Sequence, residues 1–545
     1  MRAPTAEGRV TRYGPLPGPA ASDAPYEGLY DAPYEAPNHA PNHAPNHAPY
    51  DAPYEGPYDV AVVGAGVVGA AIARELARHP NLRVALVEAS GDVGDGTSKA
   101  NTAILHTGFD ATPGTLEARL VREGHRLLNA YAAECGIPVE PVGALLVAWD
   151  ADQLAALPGL AAKAARNGYD AARLVDADAL YAREPHLGPG ALGALAVPDE
   201  SVICPFTTPL AYATQAVRAG VDLHLNSPVQ NITRADGGHT LHTARGPLHA
   251  RWLVNAAGLH ADAVDRMLGR AAFTVTPRRG QLIVFDKPAR DVVRHILLPV
   301  PTALGKGVLV APTVFGNVLL GPTAEDLDDK SATHSTEQGL TALRAQGARI
   351  LPALLEEEVT TVYAGLRAAT EEDDYRIEAR PEQHCVTVGG IRSTGLTASL
   401  ALAAHVTGLL AEAGLDLGPR AELPPVRMPN LGERSPRPYQ DAARIAEDPD
   451  YGRIVCHCER VTLGEIRDAL ASTVPPAGLD GLRRRTRARA GRCQGFHCGA
   501  LLRDVLDGEL SRQEGPRQEG PRQEESRQEG PRQEGTGHEE ESRPW

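Results

Sequence analysis

Three groups of residues in this sequence have types and spacings that chemistry can use. The first is Gly64, Gly66 and Gly69 in YDVAVVGAGVVGAAIARELARHPNLRVALVE, residues 58–88, a G-x-G-x-x-G between a short apolar run and an alanine-rich helical segment. Gly64 permits a tight turn, Gly66 lets a pyrophosphate approach the backbone, and Gly69 lets helix and strand pack closely. Phosphates would then meet the N–H groups and positive dipole end of a helix N-terminus, and Glu88 is placed to accept hydrogen bonds from ribose hydroxyls. This is a dinucleotide clamp that does not by itself distinguish FAD from NAD. The second group is Cys456, Cys458, Cys493 and Cys498, a C-x-C and a C-x4-C pair. Four thiolates from two loops suit tetrahedral zinc or a [2Fe–2S] cluster, although zinc modules more often use C-x2-C pairs. The third is His106, followed by Thr107 and Gly108. An imidazole can take a hydroxyl proton near neutral pH, but a histidine followed by Thr and Gly could also simply be a hydrogen-bonded core residue.

These residues need a scaffold, and the chain has the pattern of one. After the clamp, Gly96, Thr97, Ser98 and Asn101 offer small polar groups ahead of a helix from about Thr115. Residues 140–200 combine a strand, GALLVAW, with helical stretches, and a further helix begins near Pro205. Cys204, alone in an apolar run, reads as a packing residue. From Val221 a β-meander runs through glycine turns at 236–238 and 245–246, and short strand-like runs fill 272–365. A strand ending at Gly389 and Gly390, then a helix from Thr394–Thr397, repeats the strand-turn-helix arrangement of the clamp.

The segment T-S-x-x-N-T-x-x-x-H-x-G, residues 97–108, resembles FAD-dependent oxidoreductases of the D-amino-acid oxidase and glycerol-3-phosphate dehydrogenase superfamily. The resemblance selects FAD over NAD. It implies that Thr97, Ser98 and Asn101 contact the flavin, and that His106 faces the ring as a catalytic base. It further implies that Val229 meets the adenine, and that Ala257 and Gly258 touch the dinucleotide. Gly390, Arg392, Gly395, Leu396 and Thr397 would bring a helix N-terminus to the flavin. Arg279 and Arg367 would hold the carboxylate or phosphate of a small anionic substrate. Thr102 and Ala103 stand where relatives often carry Ser and Gly. The sequences IVCHCERVT and GRCQG resemble the bacterioferritin-associated ferredoxin-like domain, which implies a [2Fe–2S] cluster on the four cysteines.

The implied fold class is α/β. It comprises a Rossmann-like FAD-binding domain (58–140, 200–272 and 366–415), an interleaved antiparallel β substrate domain (141–199 and 273–365) and a small helical [2Fe–2S] module (453–507). A proline-rich linker or wrapping segment (416–452) joins module to body. Residues 1–57 and 508–545 are low-complexity repeats with too few aliphatic residues to bury, and are expected to be disordered. In the first of these, His39, His43 and His47 recur every four residues and could hold a metal only weakly. The chain has 545 residues, a net charge of −15 and seven cysteines. That length allows two or three domains, the charge argues against a nucleic-acid binder, and the cysteines are too few for a disulfide scaffold. No membrane span or secretory signal is evident, so a cytoplasmic protein, with peripheral membrane contact possible, is the expectation. The basic run Arg483–Arg492 would either offset the negative cluster or form a solvated helix face. The expected activity is oxidation of a small hydroxylated acid or phosphate, with electrons passing through the cluster to a quinone or carrier protein. An amine or imino-acid dehydrogenase and a non-catalytic redox or assembly protein are the rivals.

Overall fold

The computed structural model describes residues 10–11, 56–235, 237–301, 307–434 and 436–514. The repeated histidines of the N-terminal arm and most of the C-terminal repeats lie outside the described residues. The clamp is the centre of the first sheet. Tyr58–Val63 lies between parallel strands Val84–Val87 and Gly246–Asn255, with Asp222–His224 beyond Val84–Val87. Helices cover both faces of such a sheet, which is why its strands read as unbroken apolar runs. Gly246–Asn255 is shared. Its first half pairs antiparallel with Gly238–Thr243, which in turn pairs with Val229–Ala235. Its last residues pair parallel with Cys385–Gly389, itself paired with Arg376–Arg380.

The glycines at the turn are sterically required. Gly64 has φ +102°, and a Cβ there would stand 2.5 Å from the Ala256 carbonyl oxygen. A Cβ on Gly69 would lie 1.8 Å from the Gly64 oxygen, so only glycine lets helix Val67–Leu76 reach the strand. That helix packs against Thr207–Arg218 and Gly395–Glu412, and the last packs also on Leu116–Cys135. Gly395–Glu412 is, among the described residues, the one helix long and apolar enough to cross a membrane, but most of it is buried in this core.

The second sheet draws its strands from 144–197 and 276–369. Thr276–Phe285 and Val359–Ala369 are its long antiparallel pair, and neighbouring strands continue it to the edge strand Arg173–Asp176. One junction departs from the antiparallel expectation, since Ile296–Pro299 runs parallel to Ala144–Ala148. Those strands come from distant parts of the chain, so no hairpin dictates their direction.

Residues 415–434 wrap the flavin-side domain, where Ala421 N–H donates to Arg78 O and Met428 N–H to Cys135 O, with Val426, Met428 and Leu431 buried. The C-terminal module pairs the short strands Ile454–Cys456 and Val461–Thr462 and adds helices Leu463–Leu470, Leu479–Thr486 and Gly499–Glu514. Thr462 and Glu465 form a reciprocal capping box at the first of these helices. Part of the basic run takes a third role, packing against the large domain. Arg484 and Arg485 are buried and grip Asp92 of the large domain. Arg487 stacks over Phe315 and pairs with Glu459, while Arg492 pairs with Asp286 and Glu358. Local sequence could not show that these arginines would be consumed by docking.

Two expectations follow. Gly69→Ala should lower stability by about 3 kcal/mol, the upper range for overpacking, because backbone and not a side chain must move. Gly159→Ala, in the exposed helix Ala151–Arg166 with nothing near its missing Cβ, should instead raise stability by about 0.5–1 kcal/mol. Chemical denaturation of the two variants checks both. As to pH, burial would raise the Asp92 pKa, but Arg485 and then Arg484 outweigh it and hold the carboxyl below its usual range. A depressed folded pKa stabilises above the unfolded value and is lost as pH falls through the folded one. Module docking should therefore persist to pH below about 3.9, the ordinary aspartate value, and fail only under stronger acid. Small-angle scattering across an acid titration would follow the separation.

Candidate active site

Two helix N-termini open onto one cavity. Gly66 begins helix Val67–Leu76 and Thr394 begins helix Gly395–Glu412, and neither residue's side chain caps its helix. Gly66, Val67, Gly395 and Leu396 line the cavity, together with Thr97, Ser98, Asn101, Gly258, Gly390 and Arg392. Uncapped helix N-termini favour anions and electron-rich groups. The floor comes from the second sheet, where Gly280 and Gly365 are directly opposed across strands. A Cβ on Gly365 would stand 2.1 Å from the Ala100 oxygen, and one on Gly280 would stand 2.6 Å from Arg367 Nη2. Glycine inside a strand marks such a close approach, a signal that sequence reading passed over.

The segment 97–106 is pinned from several sides. Ser98 Oγ accepts from Val67 N–H at 2.9 Å, and Thr97 Oγ1 donates to Leu366 O at 2.8 Å. The Asn101 side chain is used inside its own loop, donating to Ser98 O and accepting from Ala103 N–H, while Tyr363 OH donates to Asn101 O. Ala103 has φ +57°, a conformation that suits glycine better.

The remaining expected cofactor residues stand back from the cavity. Gly64 and Gly69 shape the turn. Glu88 closes its strand, with Oε2 accepting from Ala65 N–H at 2.7 Å and Oε1 from Ser90 N–H at 2.8 Å. Burial raises its pKa, and those two N–H groups partly offset this. Val229 opens the meander strand. Ala257 lies between cavity residues Ala256 and Gly258, and Thr397 Oγ1 accepts from His106 N–H at 3.0 Å.

His106 has a partner that sequence reading missed. Ala103 and Ile104 line the cavity, and two residues on the imidazole Nδ1 faces Glu200 Oε2 at 3.1 Å. Glu200 is fully buried, and its other oxygen accepts from Thr107 N–H and Thr107 Oγ1 at 2.7 and 2.9 Å. With Nδ1–H given to that carboxylate, Nε2 keeps a lone pair.

The arginines divide by strand alternation. Gly280, Leu282, Gly365 and Arg367 line the cavity. Arg279, expected at the substrate, lies on the opposite face of its strand. Its guanidinium is buried against Glu325, at 2.7 and 3.1 Å, and against His334, so it is a structural residue. Arg278 is the direct cross-strand partner of Arg367 and shares its face. Arg278 is held bidentately by Asp326. Arg367 donates to Thr323 O at 2.6 Å, and among the described residues no carboxylate lies within ion-pair distance of it. Burial first, then the charge of Arg278, lower its pKa.

The thiols stand as two facing pairs, Cys458 with Cys493 and Cys456 with Cys498. Among the described residues no three potential ligands are yet drawn to metal-binding distance. Backbone N–H groups, led by that of His497, lower the Cys493 pKa, whereas burial and the facing Cys456 push Cys498 up to about 11.

Residues 59–409 match the family model "FAD dependent oxidoreductase", and residues 454–508 match "BFD-like [2Fe-2S] binding domain". The chain belongs to the FAD-dependent oxidoreductase family. It is 36% identical to a glycerol 3-phosphate dehydrogenase of Caloramator mitchellensis over 455 residues, 83% of this chain and 94% of that one. It is 31% identical to a glycerol 3-phosphate oxidase of Mycoplasma pneumoniae over 65% of this chain and 94% of the other. The structure of dithionite-reduced L-alpha-glycerophosphate oxidase from M. pneumoniae with FAD bound superposes with a TM-score of 0.62 at 29% identity, covering 69% of this chain and 98% of that one.

The flavoprotein's own geometry fits both groups. The cavity offers two helix N-termini whose N-cap residues supply no side-chain cap, and glycine surfaces where backbone can approach an extended cofactor. Four sulfur donors in two facing pairs suit two irons with two thiolate ligands each. Replacing any one of Cys456, Cys458, Cys493 or Cys498 with Ser should therefore remove or bleach the cluster absorption. Visible spectra with iron, zinc and flavin assays check this; an unchanged spectrum and full iron content would contradict it.

Proposed function

We propose that this flavoprotein oxidises glycerol 3-phosphate, or a close hydroxylated anion, and passes the electrons through its own [2Fe–2S] module to a quinone or carrier protein. The observation that carries the substrate reading is Arg367, a partly buried cation facing the cavity without a carboxylate to neutralise it. A guanidinium in that state is matched to a phosphate by charge and by its planar fork.

The substrate's hydroxyl end then lies toward the flavin side of the cavity. His106 accepts the hydroxyl proton at Nε2 while Glu200 holds Nδ1–H and steadies the imidazolium that forms. The C–H hydride leaves as that proton departs, giving the ketone. FAD, when bound, supplies the hydride acceptor, and the cluster, a one-electron carrier, supplies the outlet. The relatives named for glycerol 3-phosphate support the substrate, and the fused module supports an acceptor other than oxygen alone.

Arg367→Ala should raise KM for glycerol 3-phosphate roughly ten- to a hundredfold, the worth of a charged hydrogen bond, with a smaller effect on kcat. Arg279→Ala should lower thermal stability before it changes KM. His106→Ala should reduce kcat by roughly 10²–10⁴, the usual share of general-base catalysis, and Glu200→Gln by less. Stopped-flow flavin bleaching without oxygen, with a thermal melt for Arg279→Ala, checks all four. A nearly silent His106→Ala, with faster bleaching by an amine than by glycerol 3-phosphate, would replace this reading with amine oxidation.

A further inference from the structure

The loop 91–99 immediately precedes and includes the cavity residues Thr97 and Ser98, and it is held on two sides. On the cofactor side, Gly94 N–H donates to Ala65 O in the glycine turn. Ser98 Oγ accepts from the first amide of the clamp helix, and Thr97 Oγ1 donates to the substrate-side strand at Leu366. On the other side stands the C-terminal module. The Asp92 carboxylate accepts from Arg484 Nη2 at 2.8 Å and from Arg485 Nη1 and Nη2 at 2.7 Å each. Asp95 Oδ1 lies 2.7 Å from Arg484 Nη1 and 2.8 Å from Lys99 Nζ. Asp92, Arg484 and Arg485 are 5, 7 and 4% exposed, so water does little to screen the cluster.

A carboxylate taken out of water is tolerated only while its partners remain. If helix Leu479–Thr486 withdraws, Asp92 loses the two arginines that fix it on the module side, and the loop it belongs to is released there. That loop carries Thr97 and Ser98 five and six positions later, through a tight turn braced by Asp95 and Lys99. We propose that Arg484 and Arg485 are positioning residues for the flavin cofactor. The iron–sulfur module holds the 91–99 loop in the shape that presents Thr97 and Ser98 to FAD, so docking of the module and affinity for FAD are one coupled equilibrium. The module is then part of the flavin site, besides any electron transfer it performs. Arg492, exposed at the same interface but paired with Asp286 and Glu358 of the other domain, has no such connection.

Coupling is reciprocal: if docking tightens FAD binding, FAD must tighten docking by the same factor. Hydrogen exchange on the intact, cluster-loaded protein, stripped of FAD and then resaturated, reads this directly. FAD should slow amide exchange in 479–487 by at least about fivefold, as well as in 91–99. Arg485→Met leaves Asp92 paired with Arg484, and should weaken FAD binding about tenfold by flavin fluorescence titration, equivalent to about 1.4 kcal/mol. Arg485→Lys should restore part of the loss, and Arg492→Ala, which breaks only exposed docking pairs, should cost a small fraction of it. FAD that protects 91–99 but leaves 479–487 unchanged would overturn the proposal. So would a folded Arg485→Met protein with native FAD affinity, or an Arg492→Ala loss equal to that of Arg485→Met.

Discussion

The structure depends on bringing bare backbone to one cavity from opposite ends of the chain. At Gly69 the missing side chain is what lets a helix touch the strand before it, so that its N-terminus opens where a pyrophosphate can sit. A second helix, Gly395–Glu412, brings another uncapped N-terminus to the same place, and Gly280 and Gly365 thin the opposing sheet. Side chains at these positions would collide with backbone atoms, which cannot give way cheaply. The large domain's topology answers this demand. Strands 58–63, 84–87, 246–255 and 385–389 lie side by side although the first and the last come from opposite ends of the large domain's sequence.

Much of this was legible in the sequence because the roles of the clamp glycines are local. A tight turn, a close packing contact and an exposed amide each need glycine within a few residues of a strand end. The segment 97–108 and the turn at 389–397 were legible for the same reason, and the structure gathers Thr97, Ser98, Asn101, Gly390, Gly395 and Leu396 around one cavity. What escaped were matters of face and of distance. Arg279 and Arg367 were read alike, but in a strand one position exchanges the two faces, and of the two only Arg367 lines the cavity while Arg279 turns to Glu325. Glu200 lies 94 residues from His106, and nothing near either residue shows that they meet.

The basic run Arg483–Arg492 shows the same limit on a larger scale. Its charge density was plain, but whether it served a cluster, solvent or another domain depended on Asp92, about 390 residues earlier. Arginine suits this task, since a planar fork can hold both oxygens of one carboxylate while buried, which a lysine ammonium cannot do. The chain has only five lysines, and its main interdomain contacts in the module are arginine pairs, with Lys287 to Glu459 and Glu433 beside them. Flavin site, substrate sheet and thiol module are thereby joined through charges that bury together.

The central claim is that one chain contains both the site that takes electrons from a hydroxylated anion and the carrier that receives them. Electron paramagnetic resonance after anaerobic mixing with glycerol 3-phosphate tests it most directly. The account predicts that the signal of a reduced [2Fe–2S] cluster appears as the flavin absorbance falls, without any added mediator. A flavin that bleaches fully while the cluster stays oxidised and silent would contradict it.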